Sequence, residues 1–156
     1  MKSGSVIYCL DTSALINPWN KYYGMDVAPG YWRDIERLVA EGRVVISEEV
    51  RDEVRAQRDG LAVWSTRITG WYPLTDDVQD HLTLIMARWG HMVRLGKRNR
   101  ADPVVIATGW ALGATVVTEE GPGSENKPSI PYVCGQIGLR PLTVQAFVRE
   151  AGIKLT

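Results

Sequence analysis

The sequence predicts an α/β layer fold with a mainly parallel central sheet, formed as a single domain over residues 1–156. Short runs of β-branched residues alternate with amphipathic helical segments, which is the pattern of parallel strands joined by helical crossovers. The chain has about the length of one ~150-residue domain, and no internal repeat, linker or low-complexity tract divides it. A barrel of eight strand–helix units needs ~250 residues and is excluded.

Three runs rich in β-branched residues are the predicted strands. They cover residues 5–10, 43–46 and 114–117. Between the first two, the segment GYWRDIERLVAEG spaces apolar residues at helical intervals; Pro29 precedes it and Gly42 is the expected residue after its end. The chain therefore begins as strand, helix, strand.

Further helices are predicted from their capping residues and apolar periodicity. Ser47 can cap one that follows the second strand. A longer helix is predicted from Thr75 to about Leu95 because its apolar residues form one stripe, and Thr143 can cap a last helix that ends at Gly152.

The segment DPVVIATGWALG predicts a helix that is apolar on every side and therefore buried. We expect Asp102 at its N-cap, Pro103 as its first residue and Gly113 at its end.

Charge, hydropathy and cysteine content exclude several classes of protein. The 18 Lys and Arg residues equal the 18 Asp and Glu residues, so affinity for a nucleic acid must come from a local basic patch. The first apolar run stops at Asp11, too short for a signal peptide, and the longest uncharged stretch, residues 103–118, is too short to span a membrane. Cys9 and Cys134 lack metal-ligand spacing. These features predict a cytoplasmic protein without a membrane partner.

Acidic residues follow two of the predicted strands. Asp11 comes directly after the first strand, and Glu119 and Glu120 follow the third. Because parallel strands end at the same edge of a sheet, these carboxylates are expected to meet there. Asp102 begins the helix that leads into the third strand; it can be a plain N-cap, or it can cap with one oxygen while the other faces the cleft.

Glu53 is the acid of the Ser47 helix that borders the apolar side. At 100° per residue from Val50, Glu53 lies at about 300°, whereas Glu48 and Asp52 lie at about 160° and 200°. Glu53 is thus either a fourth acid of the cleft or a boundary residue whose stem covers the core. Four carboxylates suit a hard cation such as Mg²⁺ or Mn²⁺, which favours phosphodiester hydrolysis.

The order and spacing of these acids resemble the PIN-domain nucleases along nearly the whole chain. The family's first aspartate falls on Asp11, followed by Thr12 and Ser13 in YCLDTSALI. Its glutamate in the I-S-x-x-x-x-x-E pattern falls on Glu53, and its third acid, at the head of a helix in RADPVVIATGWALG, falls on Asp102.

The fourth acid of the family usually ends a T-x-D triplet. Here the triplet is Thr118, Glu119 and Glu120, so Glu120 takes the place of aspartate, and either glutamate can be the fourth acid. The segments NKYYGMDVAPGYW and KPSIPYVCGQIGL resemble an uncharacterised toxin-like PIN branch with an I-P-x-V-C tail.

The resemblance implies a three-layer α/β/α PIN-like fold and a metal-dependent endoribonuclease. Its catalytic residues and Mg²⁺ or Mn²⁺ ligands would be Asp11, Glu53, Asp102 and Glu120. Many relatives are toxins of toxin–antitoxin pairs, so a small antitoxin and a homodimer are the implied partners besides single-stranded or structured RNA. A housekeeping RNA-processing nuclease and a catalytically weak RNA- or protein-binding module remain alternatives.

Several residues beside the acids are candidates for binding the substrate. The basic run RLGKRNR can hold RNA phosphates, or it can complement the C-terminal dipole of the long helix. Aromatic residues after the first strand can stack on bases or pack their loop onto the domain. The candidates are Thr12, Ser13, Thr118, Arg94, Lys97, Arg98 and Arg100, with Trp19, Tyr22 and Tyr23 as the aromatic set.

Two other phosphate chemistries do not fit the sequence. His81 and His91 lie ten residues apart on one predicted helix, hence about 15 Å apart, which excludes a two-histidine ribonuclease mechanism. A haloacid-dehalogenase-type phosphatase needs a second acid two residues after Asp11, where this chain has Ser13.

Overall fold

Four short parallel strands form the centre of the molecule in a computed structural model that describes residues 5–93 and 101–156. The strands are β1 (Tyr8–Leu10), β2 (Val44–Val45), β3 (Thr115–Val117) and β4 (Pro141–Leu142). They lie in the order β2-β1-β3-β4, and every neighbouring pair is parallel. The predicted three-layer α/β/α arrangement with a mainly parallel sheet is confirmed.

Helices connect and cover the strands. They are α1 (Ser13–Asn17), α2 (Pro29–Ala40), α3 (Glu48–Arg55), α4 (Gly60–Ser65), α5 (Asp76–Trp89), α6 (Asp102–Leu112), α7 (Ile130–Gln136) and α8 (Val144–Ala151). A π-helical turn, Pro18–Tyr22, continues α1, and a 3₁₀ turn, Gly90–Met92, follows α5. Within the described ranges, no helix has the length and apolar character that crossing a membrane requires.

Hydroxyl side chains cap the helices where the sequence predicts them. The Ser47 hydroxyl accepts a hydrogen bond from the amide of Val50 (3.3 Å) at the start of α3. The Thr143 hydroxyl accepts one from the amide of Ala146 (3.2 Å) at the start of α8. These caps satisfy amides that have no partner within the helix, so they fix where each helix begins.

The predicted bounds differ from the structure at several ends. Each predicted strand is shorter in the structure: β1 and β3 lack the first residues of their predicted runs, and β2 keeps only the two central ones. The helix predicted to run to about Leu95 leaves α-helical geometry at Gly90, a residue with low helix propensity. The prediction that His81 and His91 share one helix was therefore wrong, since His91 lies in the 3₁₀ turn.

Helix α6 is the buried helix of the fold. Its first eight residues, Asp102–Gly109, are all buried, and Gly109 packs against β3 so closely that a Cβ there would lie 2.7 Å from Val116. The predicted N-cap was wrong by one residue: Ala101 is the N-cap, and Asp102 is the first residue of α6. Its carboxylate is therefore free to face away from the helix.

The strand register brings the ends of β1 and β3 together. Leu10 pairs with Val117, and the amide of Asp11 donates to the carbonyl of Val117 (2.9 Å). The residues that follow these two strands, Asp11 and Thr118, consequently lie side by side at the carboxyl edge of the sheet.

Candidate metal and active site

Asp11 is a buried carboxylate held by three donors. One of its oxygens accepts from the amide of Thr12 (2.7 Å), and the other accepts from the hydroxyls of Ser13 (2.6 Å) and Thr118 (3.0 Å). The Ser13 hydroxyl in turn accepts from the amide of Glu119 (2.9 Å). These bonds tie the carboxylate to both strand ends and fix its orientation.

Three carboxylates converge at this edge of the sheet. Asp11, Asp102 and Glu120 each offer one oxygen, and the three oxygens lie within 4.8 Å of one another. Asp11 and Asp102 are 1% and 6% exposed, and Glu120 is half-buried. Three carboxylate oxygens at this spacing match the ligand chemistry of a hard divalent cation.

The crowding raises the pKa of two of these acids. Burial raises the pKa of Asp102, and the charges of Asp11 and Glu120 raise it further. Burial also raises the pKa of Asp11; the hydrogen bond from Ser13 opposes this effect, and the charge of Glu120 adds to it. Without a cation, the site therefore favours protonated carboxyl groups at a higher pH than free acids do.

Glu53 lies on the cleft side of α3, as the helical-wheel angle predicts, whereas Asp52 is exposed. Its two oxygens accept hydrogen bonds from the hydroxyl of Thr12 (2.6 Å) and from the amide of Ala101 (3.0 Å). Glu53 therefore connects the end of β1 to the start of α6, beside the group formed by Asp11, Asp102 and Glu120. Burial raises its pKa as well.

The two glutamates after β3 point in different directions. One oxygen of Glu119 accepts from the hydroxyl of Tyr22 and the other from the amide of Val144 (3.1 Å), at the start of α8. Glu120 faces the other acids, and one of its oxygens accepts from the amide of Ile130 (2.9 Å). The geometry thus places Glu120, and not Glu119, with Asp11 and Asp102.

The acids lie in an open cleft of about 220 Å³. It is lined by Asp11, Thr12, Ser13, Ile16, Asn17, Glu53, Asp102 and Glu120. This volume accommodates a hydrated ion and a phosphodiester group.

Residues 8–155 match the family described as "Domain of unknown function (DUF4411)". The chain belongs to this family. The crystal structure of VapBC2 from Rickettsia felis, bound to a DNA fragment from their promoter, is similar in fold at 16% sequence identity and a TM-score of 0.54, covering 88% of this chain and 98% of that chain. No curated protein sequence matches. The likeness to the VapBC2 structure shows a shared fold, in agreement with the α/β/α arrangement described above.

The aromatic residues after β1 of this DUF4411 domain pack their loop onto the rest of the domain. Trp19 packs edge-on against Trp32 with ring centroids 5.0 Å apart, and Tyr23 lies 5.3 Å from Tyr31. The hydroxyl of Tyr22 is bound to Glu119, and burial raises the pKa of Tyr22. The packing alternative is confirmed for these residues.

The remaining candidates divide into two groups. Arg94, Lys97, Arg98 and Arg100 lie outside the described residues. Thr12, Ser13 and Thr118 lie at the site, and each hydroxyl donates to a carboxylate, as given above. Sequence reasoning missed two lining residues of the DUF4411 domain, Ile16 and Asn17, because α1 is too short to show helical periodicity.

Proposed function

We propose that this chain is a metal-dependent endoribonuclease whose cleft binds Mg²⁺ or Mn²⁺ and cleaves RNA phosphodiesters. The observation that carries the proposal is the meeting of three carboxylates at the carboxyl edge of a parallel sheet. Among the described residues that line the cleft, none is a lysine or arginine that would neutralise them. A divalent cation would supply the missing charge.

The donor set fits such an ion. Asp11, Asp102 and Glu120 supply oxygen ligands, and the cleft leaves room for the waters that Mg²⁺ retains. When bound, the ion lowers the pKa of a coordinated water and offsets charge on the phosphate. We assign Glu53 to the same site, since each of its oxygens still has a lone pair beside the hydrogen bond it accepts.

The side chains around the acids would set their positions. The hydroxyls of Ser13 and Thr118 orient Asp11, and Glu53 fixes the start of α6 through the amide of Ala101. Carboxylates fixed in these positions would hold a cation and the scissile phosphate in the orientation that attack by water needs. The attack would leave 5′-phosphate and 3′-hydroxyl ends.

We further propose a biological role as the toxin of a toxin–antitoxin pair, in the cytoplasm, with a small antitoxin as partner and a homodimer as the assembly. The resemblance to toxin-like PIN domains and the similarity in fold to VapBC2 support this role. The sequence run that contains Arg94, Lys97, Arg98 and Arg100 would bind RNA phosphates. Growth arrest on induced expression supports the toxin role, and normal growth of cells that contain active enzyme favours housekeeping RNA processing.

Cleavage of labelled RNA by purified protein tests the activity. We expect cleavage in Mg²⁺ or Mn²⁺, none in EDTA, and loss of at least about 100-fold in Asp11→Asn and Asp102→Asn. The matched control is Asp80→Asn, an exposed acid of α5, which should cleave like wild type. RNA binding without cleavage would instead indicate a PIN-like binding module, and equal cleavage by all four proteins would refute the proposed site.

A further inference from the structure

Helix α1 places in the cleft a polar side chain that makes no hydrogen bond to the described part of the chain. Ser13, Ile16 and Asn17 are spaced i, i+3 and i+4, so they share one face of α1, and all three line the cleft. The Ser13 hydroxyl donates to Asp11, which places this face beside the acids. Asn17 lies one turn further along the same face.

Asn17 does not have the usual structural role of an asparagine at a helix boundary. It is the N-cap of the π-helical turn that begins with Pro18, yet its side chain makes no capping hydrogen bond. The part of the chain that the structure describes provides no other hydrogen-bond partner for its carboxamide. The half-buried amide is therefore open to the cleft.

An inventory of donors distinguishes Asn17 from the other lining residues. The hydroxyl of Thr12 donates to Glu53, and that of Ser13 donates to Asp11. The four lining acids are acceptors when ionised, and Ile16 is apolar. Among the described lining residues, the Asn17 amide is thus the side-chain donor that does not already donate to a carboxylate.

We propose that Asn17 is a substrate-contacting residue whose amide N–H donates to a non-bridging oxygen of the scissile phosphodiester; this inference rests on the proposed nuclease function. A phosphodiester oxygen only accepts hydrogen bonds, and the carboxylates repel it. A lysine or arginine in this place would pair with the acids and compete with the metal. A neutral amide binds the phosphate and leaves the carboxylates to the cation.

The steady-state test compares Asn17→Ala with Asn20→Ala, an exposed asparagine three residues further along that does not line the cleft. A hydrogen bond to a charged group contributes roughly 1.5–3 kcal/mol, so kcat/KM for RNA should fall about 10- to 100-fold in Asn17→Ala only. The rise in Tm on adding Mn²⁺ should match wild type in both variants, because neither change removes a metal ligand.

Phosphorothioate substrates test the contact itself. Replacing the contacted non-bridging oxygen with sulfur weakens the N–H donor bond, so one diastereomer should lose less activity with Asn17→Ala than with wild type. Diastereomer effects of equal size in the two enzymes, or a wild-type kcat/KM for Asn17→Ala, would overturn the inference while leaving the nuclease assignment in place.

A binding measurement separates this inference from the proposed activity. Asn17→Asp keeps the side-chain shape but replaces the donor with a negative charge, so the Kd for labelled RNA in Ca²⁺ should rise at least about tenfold, with Asn20→Asp unchanged. If wild type cleaves no RNA, the proposed activity fails, and this Kd decides the inference. An unchanged Kd for Asn17→Asp overturns it, and the tenfold rise supports a phosphate contact without turnover.

Discussion

Replacing Asp102 with asparagine should stabilise the metal-free protein, because it removes a buried ionisable group that two other acids crowd. Asp102 is 6% exposed and has one oxygen within 4.8 Å of oxygens of Asp11 and Glu120. An asparagine keeps the shape, removes the charge and offers an N–H to Glu120. The change therefore relieves repulsion without leaving a cavity.

The size of the effect follows from that spacing. Two unit charges 4.8 Å apart repel by about 3.5 kcal/mol at an effective dielectric constant of ~20. Protonation of Asp102 already relieves part of this repulsion, so we take about 3 kcal/mol as the order of magnitude of the gain in unfolding free energy. For a domain of this size, 1 kcal/mol shifts Tm by roughly 2–4 °C. We expect a Tm up to about 6–12 °C higher in Asp102→Asn.

Thermal unfolding in EDTA at pH 7.5 measures this shift, with Asp80→Asn as the exposed control that should stay within about 0.5 kcal/mol of wild type. Saturating Mn²⁺ should then narrow or reverse the difference, because a ligand at 100 times its Kd stabilises wild type by about 2.7 kcal/mol and Asp102→Asn binds it less well. A lower Tm for Asp102→Asn in EDTA would show that the acids do not repel one another.

Two further predictions concern Glu53 and pH. In the RNA-cleavage assay, Glu53→Gln should lose most activity while keeping a near-normal Tm. Glu48→Gln, on the other side of α3, should cleave like wild type. An inactive Glu48→Gln together with an active Glu53→Gln would contradict the helix face assigned to Glu53. Because the pKa values of Asp11 and Asp102 are raised, protonation of these acids favours the folded state. Their contribution to the free energy of unfolding is complete below about pH 4 and is lost as the pH rises through the folded-state pKa. In EDTA, Tm should fall from pH 5 to pH 8. A wild-type Tm that does not change over this range would contradict the raised pKa values of the crowded acids.

The predictable part of the fold came from strong local signals. The β-branched runs, the caps Ser47 and Thr143, and the glycines that end helices each have a physical mechanism that acts over a few residues. Elements with weak local signals were missed. Helices α1 and α7 are too short to show periodicity, and β4 begins with Pro141, which is tolerated there because β4 is an edge strand.

The convergence of the acids was predictable because parallel strands end at one edge, whereas their detailed contacts were not. Whether Glu119 or Glu120 joins the other acids depends on the backbone path one residue after β3. The true start of α6 depends on a bond from the amide of Ala101 to Glu53, a residue 48 positions away in the chain. Long-range contacts of this kind leave no pattern in the local sequence.

Mapping the ends of RNA cleaved in Mn²⁺ tests the central claim most directly. Hydrolysis by a metal-bound water at the Asp11, Asp102 and Glu120 site predicts 5′-phosphate and 3′-hydroxyl ends, absent in EDTA and in Asp11→Asn. Products with 2′,3′-cyclic phosphate and 5′-hydroxyl ends, formed equally well in EDTA, would contradict it, because they would show attack by the ribose 2′-hydroxyl without any need for the carboxylate site.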